Sequence, residues 1–129
     1  MALPTDANVE LMICDAARAT PDGKLDLAGL FPIPAIRVDP AAQLPAGLNL
    51  TLVYVLKDGE GQFRCALRIV DPLGKELLRQ PLTEVGKAAG QHHIMIMPIA
   101  LIPIALSGEY AIVLEIEGQE YRRTVRIFQ

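Results

Sequence analysis

Two adjacent histidines, His92 and His93, open the most apolar stretch of the chain, "HHIMIMPIALIPIAL", and an imidazole pair is a natural place to look for a metal. In an extended segment, neighbouring side chains point to opposite faces, so these two cannot grip one ion. The chain has no third histidine, and no cysteine or carboxylate stands at a recognisable ligand spacing. Neither a metal nor a cofactor is expected. Glu115 and Glu117 share a strand face at about 6.5–7 Å, close to the separation of glycosidase carboxylates. With Arg122 expected opposite Glu115, that face reads as solvated rather than catalytic. Asp58 and Glu60 sit in a glycine-rich turn but are too few for a calcium site. The single serine, Ser107, lies in a turn without a GxSxG elbow. Cys14 and Cys65 fall in apolar segments, where a thiol is inert, and are expected to be reduced. No catalytic constellation emerges, so the chain is not expected to be an enzyme.

The elements that carry these residues alternate with a period of two. "NLTLVYVL" sets Leu48, Leu50, Leu52, Tyr54 and Leu56 on one face, and "FRCALRIV" does the same with Phe63, Cys65, Leu67 and Ile69. The intervening "KDGEGQ" predicts that these two segments form an antiparallel hairpin. Gly118-Gln119 predicts a two-residue turn that sets Glu115 opposite Arg122 and turns Arg123 inward, opposite Leu114. Turns at "TPDGK", "DPLGK" and "LSGEY" punctuate the rest. The first should join "NVELMICDAA" to "KLDLAGLF" in a hairpin, and the second leads into "KELLRQ". Pro32, Pro34, Pro40 and Pro45 mark a crossover loop, and "EVGKAAGQ" reads as a short helical turn or a loop. About eight strands joined in this way predict an all-β fold, an antiparallel β-sandwich of immunoglobulin-like general architecture, with a closed eight-stranded barrel as the alternative.

A chain of 129 residues with 51% hydrophobic and 21% charged residues is one domain, 1–129, with enough core to fold unaided. A net charge of −3 argues against nucleic acid and against an anionic membrane. The thirteen residues 94–106 would span about 20 Å as a helix, short of a ~30 Å bilayer core, and Pro98 and Pro103 would break it. "MALPTDANVELMICD" lacks the basic and apolar regions of a secretory signal, so a cytoplasmic location is expected.

Several of these turns form a pattern. Cys14-Asp15, Gly23-Lys24, Gly29-Leu30-Phe31, the run Val70-Asp71-Pro72-Leu73-Gly74-Lys75, and Gly108-Glu109-Tyr110 through Gly118 together resemble a family of small bacterial proteins known only as a domain of unknown function. The resemblance implies a stand-alone β-sandwich and brings no catalytic residues.

Function is read from the 94–106 strand, whose two faces are both oily where a half-solvated strand would alternate. The reading is a non-enzymatic interaction or assembly domain. Ile94, Ile96 and Ile102 are expected in the core, and Met95, Met97, Ile99 and Leu101 are expected to meet a second copy or another protein. The prolines place this strand at or near a sheet edge. The alternative is a small-ligand site lined by Tyr54, Arg68 or Arg123.

Overall fold

The structure, a computed structural model, describes every residue except Ile33, which falls in the expected proline-rich crossover and so lies outside the described residues. Among those described, twelve strands and one 3-10 turn (Asp6–Asn8) make the fold all-β. In chain order the strands are β1 (Val9–Cys14), β2 (Ala16–Ala19), β3 (Leu25–Ala28), β4 (Ala35–Arg37), β5 (Ala46–Leu56) and β6 (Gly61–Phe63). They continue as β7 (Cys65–Val70), β8 (Glu76–Pro81), β9 (Val85–Lys87), β10 (His93–Ile104), β11 (Gly108–Ile116) and β12 (Gln119–Phe128). Two main sheets run β1-β5-β10 and β4-β12-β11-β7-β8, with β2-β3 and β6-β9 as small pairs. The strands are antiparallel except β4, which pairs parallel with β12. Every sheet keeps free edges, so the barrel alternative does not hold.

Alternation identified the inward faces well. Phe63, Cys65, Leu67 and Ile69 are buried, as are Tyr110, Ile112, Leu114 and Ile116. They join Leu50, Leu52, Tyr54 and Leu56 of the other main sheet in one hydrophobic cluster. At about 1.5–3 kcal/mol per buried large side chain, this shared cluster is the main favourable term in folding. Among the described residues, no helix is long and apolar enough to cross a membrane.

The elements and their pairing depart from expectation in five places. The β5–β7 hairpin does not form: β5 is flanked by β1 and β10, whereas β7 lies between β11 and β8. Both neighbours of β5 arrive from distant sequence, so Lys57–Phe63 carries the chain from one sheet to the other. The segment "NVELMICDAA" divides at Asp15 into β1, which joins β5, and β2, which makes the expected hairpin with β3. Gly29 sits at φ +65°, where an added Cβ would come within 2.1 Å of Asp15 Oδ2, so the "CD" and "GLF" parts of the pattern touch at this point. The "EVGKAAGQ" segment contains β9 rather than a helical turn, and the proline-rich crossover contains β4.

The C-terminal hairpin turns at Glu117-Gly118, with φ of +50° and +81°, rather than at Gly118-Gln119. Two positive φ values match the strand twist, and the ladder slides by two residues. A shift of two preserves the faces but changes the partners. Glu115 lies opposite Glu120, Arg122 opposite Val113, and Arg123 opposite Ile112 instead of Leu114.

Candidate functional site

β10 pairs with β5 on one side and, among the described residues, has no strand on the other, in keeping with its prolines. Its two halves use different parities. Met95, Met97 and Ile99 are buried before the break, Ile102 and Ile104 after it. The register shifts between Ile99↔Leu50 and Ile102↔Leu48, so Ala100 and Leu101 together face the single residue Asn49. This is a β-bulge. Asn49 pins it: its Oδ1 accepts the Leu101 N–H at 2.8 Å, and Leu101 adopts φ +57°.

The bulge corrects the expected interface. Met95, Met97 and Ile99 belong to the core, because their parity matches Leu50, Leu52 and Tyr54 across the ladder. Ile94 and Ile96, expected inside, lie on the outward face with Pro98; Ile94 is 40% exposed. Only Leu101 of the expected set is exposed, at 72%. Along the outward face of the three-stranded sheet, Ile94 and Ile96 continue through Val55 and Val53 to Met12.

Arg123 occupies the inward face of β12 at the end nearest the N-terminus. Its Nη1 donates to Asp6 Oδ1 and to the Arg122 carbonyl, both at 2.9 Å; its Nη2 donates to the Asp6 and Val9 carbonyls, both at 2.7 Å. One side chain thus ties the 3-10 turn and the start of β1 to the opposite sheet. An inward charge near an open strand edge also opposes stray strand addition. Two further contacts fasten the same N-terminal segment. The Tyr121 hydroxyl donates to the Pro4 carbonyl at 2.5 Å, and Asp58 accepts from the Thr5 N–H at 2.9 Å and the Thr5 hydroxyl at 2.7 Å. These bonds hold the Asp58 carboxyl below its ordinary range. Nearby, the buried Lys87 ammonium donates to the Gly59 and Ala88 carbonyls.

Tyr54 projects into the core beside Leu11, its partner across the ladder. Burial lifts its hydroxyl far above the ordinary phenol range, and the Arg123 charge offsets only part of that. Arg68 lies elsewhere, on the outward face of the five-stranded sheet. Its side chain is 15% exposed, and its guanidinium binds Glu115 at 2.7 Å and Glu120 at 2.6 Å. The structure therefore brings Tyr54 and Arg123 together and sets Arg68 apart. Glu115 belongs to that ion cluster, while Glu117 accepts the Arg64 N–H at 2.7 Å, so the two carboxylates do not converge on a shared point. His93 stands opposite Leu56 at the start of β10, where burial and the Lys87 charge lower its pKa.

Both cysteines are free and buried. Burial raises both thiols, helped by the charge of Asp15 at Cys14 and of Glu117 at Cys65; Cys65 is pushed up to about 11. At pH 8 only about one Cys65 in a thousand would be thiolate, the reactive form. Native protein is therefore expected to resist a thiol reagent at pH 8, and denatured protein to titrate two thiols. Rapid native labelling would contradict this.

The chain matches a family of unknown function, DUF6941, over residues 10–126. The chain belongs to this family. The matched span takes in β10 and Arg123 but begins after Asp6, so the acidic half of the Arg123 contact lies outside it. No curated protein is similar in sequence. Among solved structures, the Pseudomonas fluorescens alkylpurine DNA glycosylase AlkC, bound to DNA containing an abasic site analog, is 12% identical over 93% of this chain, with a TM-score of 0.43. This chain spans 31% of that enzyme's length, and a TM-score this low carries no argument about function.

Proposed function

We propose that the chain is a stand-alone β-sandwich, immunoglobulin-like in general architecture, that works in the bacterial cytoplasm as a non-enzymatic interaction domain and pairs with a second copy through the outward face of β10. The observation behind this is Leu101. A leucine at positive φ costs about 1–2 kcal/mol that glycine would avoid, and this one is 72% exposed, so its side chain returns little to the isolated fold. Strain kept at an exposed apolar residue suggests a demand from outside the fold. Ile94, Ile96 and Pro98 extend the same apolar line, and none carries a charge. An uncharged face can meet its own copy across a two-fold axis without like-charge contacts. The net charge of −3 leaves nucleic acid and anionic membranes out of the reading.

Sedimentation velocity tests it on three proteins. The wild type should dimerise at micromolar concentration, and Ile94→Glu with Leu101→Glu should be a folded monomer. Leu101→Gly should fold at least as stably as the wild type yet associate about tenfold more weakly or worse, equivalent to at least ~1.4 kcal/mol. A wild type that stays monomeric at high micromolar concentration sinks the reading. So does a Leu101→Gly variant that associates normally.

A further inference from the structure

A cleft of about 940 Å³ opens between β1 of one sheet and β11 and β12 of the other. Leu11, Ile13, Phe31, Ile112 and Val125 give it apolar walls, and Arg123 stands at one end. We propose that this cleft binds a neutral, largely apolar small molecule carrying one hydrogen-bonding group such as a hydroxyl, carbonyl or amine. Three observations define that ligand.

The first is size and lining. The volume lies within the range that encloses a drug-sized molecule, and apolar walls with few polar groups are the usual composition of such sites. The second is charge. The cleft has two cations and two anions at its rim, and they are already paired: Arg123 with Asp6 at 2.9 Å, and Lys57 with Glu10 at 2.8 Å. An ionic ligand would have to break one of these pairs, whereas a neutral one leaves both in place. The third is an unmet hydrogen bond. Among the described residues, the Tyr54 hydroxyl is the one fully buried side-chain polar atom without a partner. Such groups are rare in folded proteins and call for an explanation. Tyr54 is the ladder partner of Leu11 and lies within reach of the Arg123 charge, and both of those residues line the cleft. Tyr54 itself has no exposed surface and does not line the cleft, so its hydroxyl, able to give or accept one bond, comes within reach of a ligand where the Leu11 or Arg123 side chain shifts aside. A ligand whose polar group reached it would satisfy it while its apolar body covered Phe31 and Val125.

The probe is N-phenyl-1-naphthylamine, a neutral apolar fluorophore with a single N–H. Wild-type protein should enhance its fluorescence saturably at one site per chain. Leu11→Trp, which fills the cleft from an edge strand, should weaken binding at least tenfold. Tyr54→Phe, which keeps the shape but removes the hydroxyl, should weaken it about three- to tenfold. Ile96→Glu, on the outward sheet face, should leave it unchanged. A wild type without saturable binding overturns the proposal. So does binding that survives Leu11→Trp or disappears with Ile96→Glu, because the probe would then be reporting the outward face. Circular dichroism on each variant separates loss of the site from loss of the fold. Should Leu11→Trp unfold, Ala7→Trp at the exposed rim replaces it, with the same expected loss.

Discussion

Arg123→Met is expected to cost about 2–4 kcal/mol of folding stability and to release the first eight residues to proteolysis. Methionine keeps the apolar stem, so the loss falls on the guanidinium. Four hydrogen bonds disappear with it: three to backbone carbonyls of Asp6, Val9 and Arg122, and one to the Asp6 carboxylate. Bonds from a charged donor contribute about 1.5–3 kcal/mol each, but water can reach part of this site, so the sum is not realised. Asp6→Asn should cost less than about 1 kcal/mol, because Asp6 is largely exposed and its backbone carbonyl still accepts. Arg123→Lys should behave more like methionine than like arginine, since one ammonium cannot span acceptors on two strands as a planar fork does. Urea unfolding gives the stabilities, and limited proteolysis followed by mass spectrometry locates the first cut. An Arg123→Met protein with the wild-type midpoint and a protected N-terminus would show that the clasp contributes nothing.

That clasp marks a boundary in what the sequence makes legible. The inward direction of Arg123 follows from parity along β12, and the two-residue slip of the hairpin did not disturb it. Its partner did not follow. Asp6 lies 117 positions away, and nothing local to "YRRTV" points there. The same division runs through the sheets. Where one parity is polar, as with Arg64 and Arg68 against Cys65 and Leu67, alternation says which residues are inside. It does not say which strand pairs with which, and so a glycine-rich turn between β5 and β7 looked like a hairpin when it is a passage between sheets. Where both parities are apolar, as in Ile94/Ile96 and Met95/Met97, alternation cannot choose a face. An interface read from alternation alone therefore falls on the core side of β10. Tyr54 and Arg123 each stand out in the sequence, but their meeting near one cleft depends on how two sheets face each other, which no spacing within either strand encodes.

One signal for the bulge was present. A proline in an edge strand has to turn its missing N–H away from the ladder, and successive residues of a regular strand alternate between the two sides. Pro98 and Pro103 are an odd number of residues apart, so a regular β10 would present one of them to β5. A single extra residue between them removes the conflict, and the bulge at Ala100-Leu101 supplies it. The same residue brings Ile99 and Ile102 to one face, which keeps Ile102 and Ile104 in the core. Deleting Ala100 should therefore straighten β10 without moving its ends: Leu101 alone would face Asn49, and Ile102, Pro103 and Ile104 would keep their partners. Pro98 and Pro103, then four residues apart, both turn away from the ladder, and Ile99, Ile102 and Ile104 share the core face. A change within about 1–2 kcal/mol is expected, the scale of the strain at positive φ that the bulge carries, and small against the 5–15 kcal/mol that holds a domain together. Ala100→Gly and Leu101→Gly keep the residue count and should stay within about 1 kcal/mol of the wild type, with Leu101→Gly on the stable side. Urea denaturation followed by far-UV circular dichroism distinguishes these outcomes. A deletion variant that loses several kcal/mol, or no longer unfolds cooperatively, would mean that Ala100 is not a spare residue in the ladder, and the prolines would not be what sets the frame of β10.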